Sequence, residues 1–268
     1  MFKSEIRQTT INLFCFLASF LLFFALSSCS DEEEKQKISR AERERLRMED
    51  SLSLKIAVLP TSDCDVIRLA DSMRVFDSLG VVVHLKTYHS LSECREALRK
   101  KRVEGAFIDS VLAKVIMERD TTALTLGPAT TLAWKLLTAK KARVVRKDQL
   151  GDKILAADSH GASKALAENM TDSLKKQDKT LFVLQCEDPM VRMKMLAHGN
   201  VDAALLPEPF ATQVMKYGTR ILYDYSGSPK GVVAFRSSCL RDKRIKKQYE
   251  LFLRGFSIAN DSIRNRRK

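Results

Sequence analysis

Aromatic residues make up only 7% of the chain, and tryptophan occurs once, as Trp134. A platform of stacked side chains for single-stranded nucleic acid therefore has little raw material. Histidine is also scarce: His84, His89, His160 and His198 are the four, and no Ser/His/Asp or Cys/His grouping forms around them. Without a nucleophile and its base, an enzyme is not expected. Six cysteines occur with no CxxC or Cys/His ligand spacing, so neither a metal site nor any other cofactor is called for. What is present is 268 residues, 45% hydrophobic and 29% charged, with a formal net charge of +13. That balance suits one or two globular domains. The basic segments 143–147, 241–247 and 264–268 are scattered and free of interleaved aromatics. They read as solvated helix faces, and no nucleic-acid partner is expected.

The N-terminus fixes an expected compartment. Lys3 and Arg7 precede an apolar run over 11–26 (INLFCFLASFLLFFAL), which ends at Leu26-Ser27-Ser28-Cys29. A basic start, an apolar stretch of this length and small residues before a cysteine are the pattern of a bacterial lipoprotein signal, with 1–28 removed and Cys29 carrying the acyl lipid (palmitate). Residues 29–53 follow as a charged tether, partly helical at most. Its opening, Ser30-Asp31-Glu32-Glu33-Glu34, resembles the signal that sends lipoproteins to the outer face of the outer membrane; a periplasm-facing anchor is the fallback. Cys64, Cys94, Cys186 and Cys239 then lie in an oxidising compartment, where three pairings are open, as are free buried thiols.

From Leu54 onward the chain repeats itself at an offset of 98 residues. Residues 55–59 (KIAVL) lie over 153–157 (KILAA), 82–87 over 180–185, Ser90 over Asp188, and 103–106 (VEGA) over 201–204 (VDAA). Each copy reads strand, helix, strand, helix, strand. In the first copy, Asp65 opens a helix with apolar positions 66, 69, 70, 73 and 76, closed by Gly80, and Ser90 with Glu93 forms a capping box. In the second, Asp188-Pro189 opens the last helix, and Met190, Met193, Met195 and Leu196 are read as its buried side. Alternating short strands and helices imply an α/β fold of mostly parallel sheets covered by helices.

Open parallel sheets bind ligands beyond the carboxyl ends of their strands, where helix N-termini supply unpaired N–H groups. Two such edges facing each other form a cleft, which places the candidate site on four loops. The first-strand loops contribute Thr61, Ser62 and Asp63 and, 98 residues on, Ser159, His160, Gly161, Ala162 and Ser163. The third-strand loops contribute Asp109, Ser110 and Glu208. Ser159 to Ser163 at a helix start can cradle an anion or simply cap the helix. Asp109 can meet a cationic group or cap a turn, and Glu208 can face the cleft or complement a helix dipole. Trp134 and Tyr88 can stack on a ring or pack in the core or hinge.

The stretch 199–212 (GNVDAALLPEPFAT) resembles the "G-x-V-D-A-A…E-P-F/Y" segment of ABC-importer solute-binding proteins for aliphatic sulfonates, taurine, nitrate and thiamine-pyrimidine precursors. Residues 148–154 (DQLGDKI), Gly105 to Asp109 and Gly231 to Val233 resemble that group's approach to the second lobe, its first-lobe strand end and its return. The resemblance implies a type II periplasmic-binding fold of two lobes, lobe 1 being 54–130 plus 219–268 and lobe 2 being 131–218. It also implies a lipid-anchored monomer that closes on a small, anionic or heteroaromatic solute and docks on an ABC permease. A surface adhesin or ligand sensor on the same fold, without a transporter, is the alternative.

Overall fold

The computed structural model describes residues 40–266 apart from Thr121 and Ser228. The expected signal sequence 1–28, lipidated Cys29 and the tether as far as residue 39 lie outside the described residues. In chain order the elements are α1 (Arg40–Leu52), β1 (Leu54–Val58), α2 (Asp65–Ser72), α3 (Val75–Ser78), β2 (Val83–Thr87), α4 (Leu91–Arg99), β3 (Gly105–Asp109) and α5 (Ser110–Arg119). Then follow β4 (Leu124–Thr130), β5 (Trp134–Thr138), β6 (Lys153–Ala157), α6 (Gly161–Lys175), β7 (Leu181–Gln185) and α7 (Pro189–Ala197). The chain closes with β8 (Ala203–Pro207), α8 (Phe210–Val214), β9 (Arg220–Asp224), β10 (Gly231–Arg236) and α9 (Lys243–Arg266). None of the described helices is long and apolar enough to cross a membrane.

The strands form two five-stranded sheets of the same design, ordered β2-β1-β3-β10-β4 and β7-β6-β8-β5-β9. In each, three strands run parallel, and the fourth runs antiparallel to both of its neighbours. The antiparallel strand arrives from the other half of the chain, so the backbone crosses between sheets twice, over residues 131–133 and 225–230. Both sheets belong to one compact unit, Glu49–Lys268. One buried cluster runs from Ala57, Leu59 and Ile108 to Leu136, Leu155 and Leu205. A second lies on the other side of the first sheet, where Phe76, Phe235 and Phe256 close around Phe252 of α9.

Local signals explain where elements begin. Ser90 caps α4 by accepting a hydrogen bond from the Glu93 amide at 3.2 Å, whereas the Glu93 carboxylate accepts from the His89 amide at 2.7 Å, one residue before the cap, so only the first half of the expected capping box forms. Asp188 accepts from the Met190 amide at 2.7 Å, and Pro189 fills the first position of α7.

Four expectations need correcting. The offset is 98 residues between β2 and β7, β3 and β8, and α4 and α7, but 99 between β1 and β6. Pairing decides the point: Ile56 stands opposite Gly105, and Leu155, not Ile154, stands opposite Ala203. Leu155 is fully buried while Ile154 is 40% exposed. The helix opened near Asp65 ends at Ser72, because Arg74 adopts a left-handed conformation (φ 53°) that separates it from α3. Arg220–Asp224, expected in lobe 1, pairs with β5 in the second sheet, so the return crossing comes after Asp224. The tether gives way to folded chain before residue 54. Asp50 pairs with Lys55 at 2.9 Å and His84 at 3.1 Å, and the Leu52 carbonyl accepts from Arg244 and Gln248, both at 2.7 Å.

Candidate functional site

The carboxyl ends of the two sheets face each other across a narrow cleft. Asp109 ends β3 and caps α5, accepting from the Leu112 amide at 2.7 Å through Oδ1. Its Oδ2 reaches the other lobe and accepts from the Ala162 amide at 2.9 Å, at the start of α6. Gly161 has φ +70°, and a Cβ there would stand 2.5 Å from Asp109 Oδ2. The helix N-terminus expected to cradle an anionic solute is thus filled by the protein's own carboxylate. Burial pushes the Asp109 carboxyl above its ordinary range, against the pull of the Ala162, Leu112 and Val111 amides.

The remaining expected residues divide between the lobe contacts and the local framework. Ser62 donates its amide to the Glu208 carbonyl at 2.9 Å, a second bond across the lobes. The Glu208 side chain binds Lys135 at 2.6 Å and the Thr212 amide at 3.1 Å. Burial alone would raise Glu208, but the Lys135 and Thr212 bonds outweigh it and leave the carboxyl below its usual value. Ser163 is buried and accepts from the Asp158 amide at 3.1 Å, tying the end of β6 to α6. Ser110 is exposed and donates its amide to the Lys230 carbonyl at 2.9 Å. At the cleft rim Ser92 donates to Glu187 at 2.5 Å and lies 3.2 Å from His160 Nδ1. Ser159 donates its amide at 3.0 Å, and its hydroxyl, to the same Glu187. Burial raises Glu187, yet the Ser159 and Ser92 bonds prevail and hold it below its usual value.

Beneath this rim is a cavity of about 20 Å³, room for roughly one water molecule. Thr61 and Asp63 line it from the first lobe, Asp158 and Arg192 from the second, Leu132 from the first crossing and Trp134 from the start of β5. Asp63, Asp158, Arg192 and Trp134 are 4%, 2%, 1% and 2% exposed. Each has one buried polar atom that makes no hydrogen bond among the described residues: Asp63 Oδ1, Asp158 Oδ2, Arg192 Nε and Trp134 Nε1. Their other atoms are engaged. Thr130 donates to Asp63 Oδ2 at 3.2 Å, and Arg192 Nη1 donates to Asp158 Oδ1 and, at 2.6 Å, to the Cys186 carbonyl. Burial pushes Asp63 upward and Asp158 to about 6, the latter despite Arg192.

Of the expected residues, Thr61 and Asp63 reach this cavity; Asp109, Ala162, Ser62, Glu208 and His160 serve contacts between the lobes, while Ser159 bonds to Glu187 within the second lobe. Asp158, Glu187 and Arg192 were not anticipated. The signal for Arg192 was a buried stripe on α7 at Pro189, Arg192 and Leu196; of the expected buried side, Leu196 is buried and Met193 and Met195 pack against the core, while Met190 is exposed. Trp134, open to ring stacking or to core or hinge packing by its sequence, is buried in the core and also forms a wall of the cavity.

No family model and no curated protein matches the sequence. Solved structures do. The alkanesulfonate-binding protein SsuA from Xanthomonas axonopodis pv. citri, bound to MOPS, is 14% identical, covering 81% of this chain and 75% of that one, with a TM-score of 0.65. The ligand-binding component of an ABC-type import system from Staphylococcus aureus, with zinc bound, is 15% identical over 77% and 73%, with a TM-score of 0.64. The periplasmic aliphatic sulphonate binding protein SsuA from Escherichia coli is 16% identical over 80% and 75%, with a TM-score of 0.61. With its two mixed sheets, double crossing and facing strand ends, this chain has the fold of the ligand-binding components of ABC-type importers, the type II periplasmic-binding architecture.

Proposed function

We propose that this chain is a solute-binding protein, held to the cell envelope by a lipid on Cys29, which captures a small molecule between its lobes and presents it to an ABC permease. The observation behind this reading is one cavity at the carboxyl ends of both sheets lined by four residues that each keep a buried polar atom without a partner among the described residues. Burying a polar group without a partner costs roughly 1–3 kcal/mol each, a cost that a fitting solute removes. At about 20 Å³ the cavity admits a solute only when the lobes part, and the crossings at 131–133 and 225–230 are the hinges available for that motion. Display on the outer face of the outer membrane is part of the proposal, supported by the acidic run after Cys29.

The sole tryptophan supplies the test. Trp134 lines the cavity, so its emission reports directly on the site. Titration of the purified protein with sulfonates, amino acids, amines and nitrate is expected to give saturable changes in Trp134 emission for one class, with a parallel rise in melting temperature. If no compound moves either signal, and native mass spectrometry finds no co-purifying molecule, the proposal fails.

A further inference from the structure

The same four atoms specify the chemistry of the solute. Two are acceptors on carboxylates, Asp63 Oδ1 and Asp158 Oδ2, and two are donors, Arg192 Nε and Trp134 Nε1. A sulfonate or nitrate offers acceptors only. It could satisfy the two donors, but it would leave both carboxylate oxygens unpartnered and bring a third negative charge against them. Around the cavity the ionisable wall is Asp63, Asp158 and Glu187 against Arg192; Asp63 stands close enough to raise Asp109, and Asp109 to raise Asp158, with Arg68 pulling Asp63 the other way. Arg192 is already committed to Asp158. The imbalance is therefore an excess of buried negative charge with two free lone-pair sites.

Resting on the receptor reading above, we propose that the cleft selects a compact solute bearing a protonated nitrogen, an amine, amidine or guanidine, whose N–H groups face Asp63 and Asp158. An acceptor atom on the same solute faces Trp134 Nε1 and Arg192 Nε. The α6 N-terminus, where an anionic group would otherwise be held, takes no part, because Asp109 fills it. A nitrogen cation supplies the missing counter-charge for the two carboxyls that burial drives upward. The donor pair then fixes its orientation through a carboxylate, hydroxyl or carbonyl oxygen.

The test compares three cations, ethanolamine, acetamidine and L-arginine, with three anions, ethanesulfonate, acetate and nitrate, on the full chain at pH 7.5, read by Trp134 emission and by calorimetry. Saturable binding is expected for at least one cation and for no anion lacking a cationic nitrogen. Asp63→Asn is expected to weaken that cation at least tenfold, and Asp158→Asn likewise. Melting curves of both variants establish that they remain folded, and Ser110→Ala, exposed and outside the cavity, keeps wild-type affinity. Saturable binding of ethanesulfonate, acetate or nitrate overturns the assigned chemistry and leaves the receptor reading intact. Silence toward all three cations also overturns it, and combined with the absence of any co-purified molecule it removes the receptor reading too. Unchanged cation affinity in both folded variants overturns the role given to the carboxylates.

Discussion

Replacement of Gly161 by alanine isolates one of the contacts that hold the two lobes together, the bond from the Ala162 amide to Asp109. At φ +70° an alanine is strained by about 1–2 kcal/mol. Its Cβ, 2.5 Å from Asp109 Oδ2, also drives the carboxylate away from the Ala162 amide. Loss of a hydrogen bond to a charged group costs about 1.5–3 kcal/mol, so the total is about 3–5 kcal/mol. For a unit of this size each kilocalorie lowers the melting temperature by roughly 2–4 °C, which predicts a fall of about 10 °C. Gly80→Ala is the internal control: its φ is +72°, but nothing lies within 4 Å of the new Cβ. It incurs the backbone strain alone, about 1–2 kcal/mol. Differential scanning fluorimetry of both variants gives the difference, and a red shift of Trp134 emission in Gly161→Ala alone registers parting of the lobes. Equal losses in the two variants, with Trp134 emission unmoved, would refute the assignment of Asp109 as a contact that keeps the cleft shut.

Other outcomes follow from the same geometry. Gly231→Ala puts a Cβ 2.0 Å from Thr130 Oγ1 and 2.8 Å from Leu132 Cβ at the paired crossings. Overpacking of this kind costs about 1–3 kcal/mol, measurable by urea denaturation, and it displaces Thr130 from Asp63. Arg192→Met strands Asp158 in the interior and is expected to cost about 3–5 kcal/mol, most of it recovered by adding Asp158→Asn; a double mutant no more stable than the single would contradict the pairing. Asp158 also sets a pH dependence. Burial pushes its folded-state value to about 6, above that of the unfolded chain, so the folded form binds a proton first. Stability is therefore expected to rise as pH falls from 7 through 6 toward about 4, by at most about 1.4 kcal/mol per pH unit from this group. Asp63 and Asp109, also raised by burial, act in the same sense. Denaturation midpoints between pH 5 and 7.5 check the slope, and Asp158→Asn should flatten it.

The repeat in the sequence made the paired sheets legible, because strand and cap signals such as Ser90 with Glu93 and Asp188 with Pro189 act over a few residues. The 99-residue spacing of β1 and β6 was not visible, since Ile154 and Leu155 are both apolar and only pairing shows which faces inward. Of the expected loop residues Thr61 and Asp63 line the cavity, while the partners that the other loop groups take were not legible. An amide at a helix start looks open to an anion until folding brings Asp109 from 53 residues away. Asp158 and Arg192 escaped notice for a related reason. Each looks like an ordinary charged residue, and their significance comes only from being buried against each other with one atom of each left over.

The double crossing has a bearing on biosynthesis. The second sheet uses one uninterrupted stretch, β5 through β9, whereas the first needs β10 to enter between β3 and β4. A nascent chain emerging N-terminus first therefore offers strands of the first sheet to solvent while the second is still being synthesised, and only the last forty or so residues complete it. During that interval the unpaired flanks of β3 and β4 are the surfaces on which a chaperone would act.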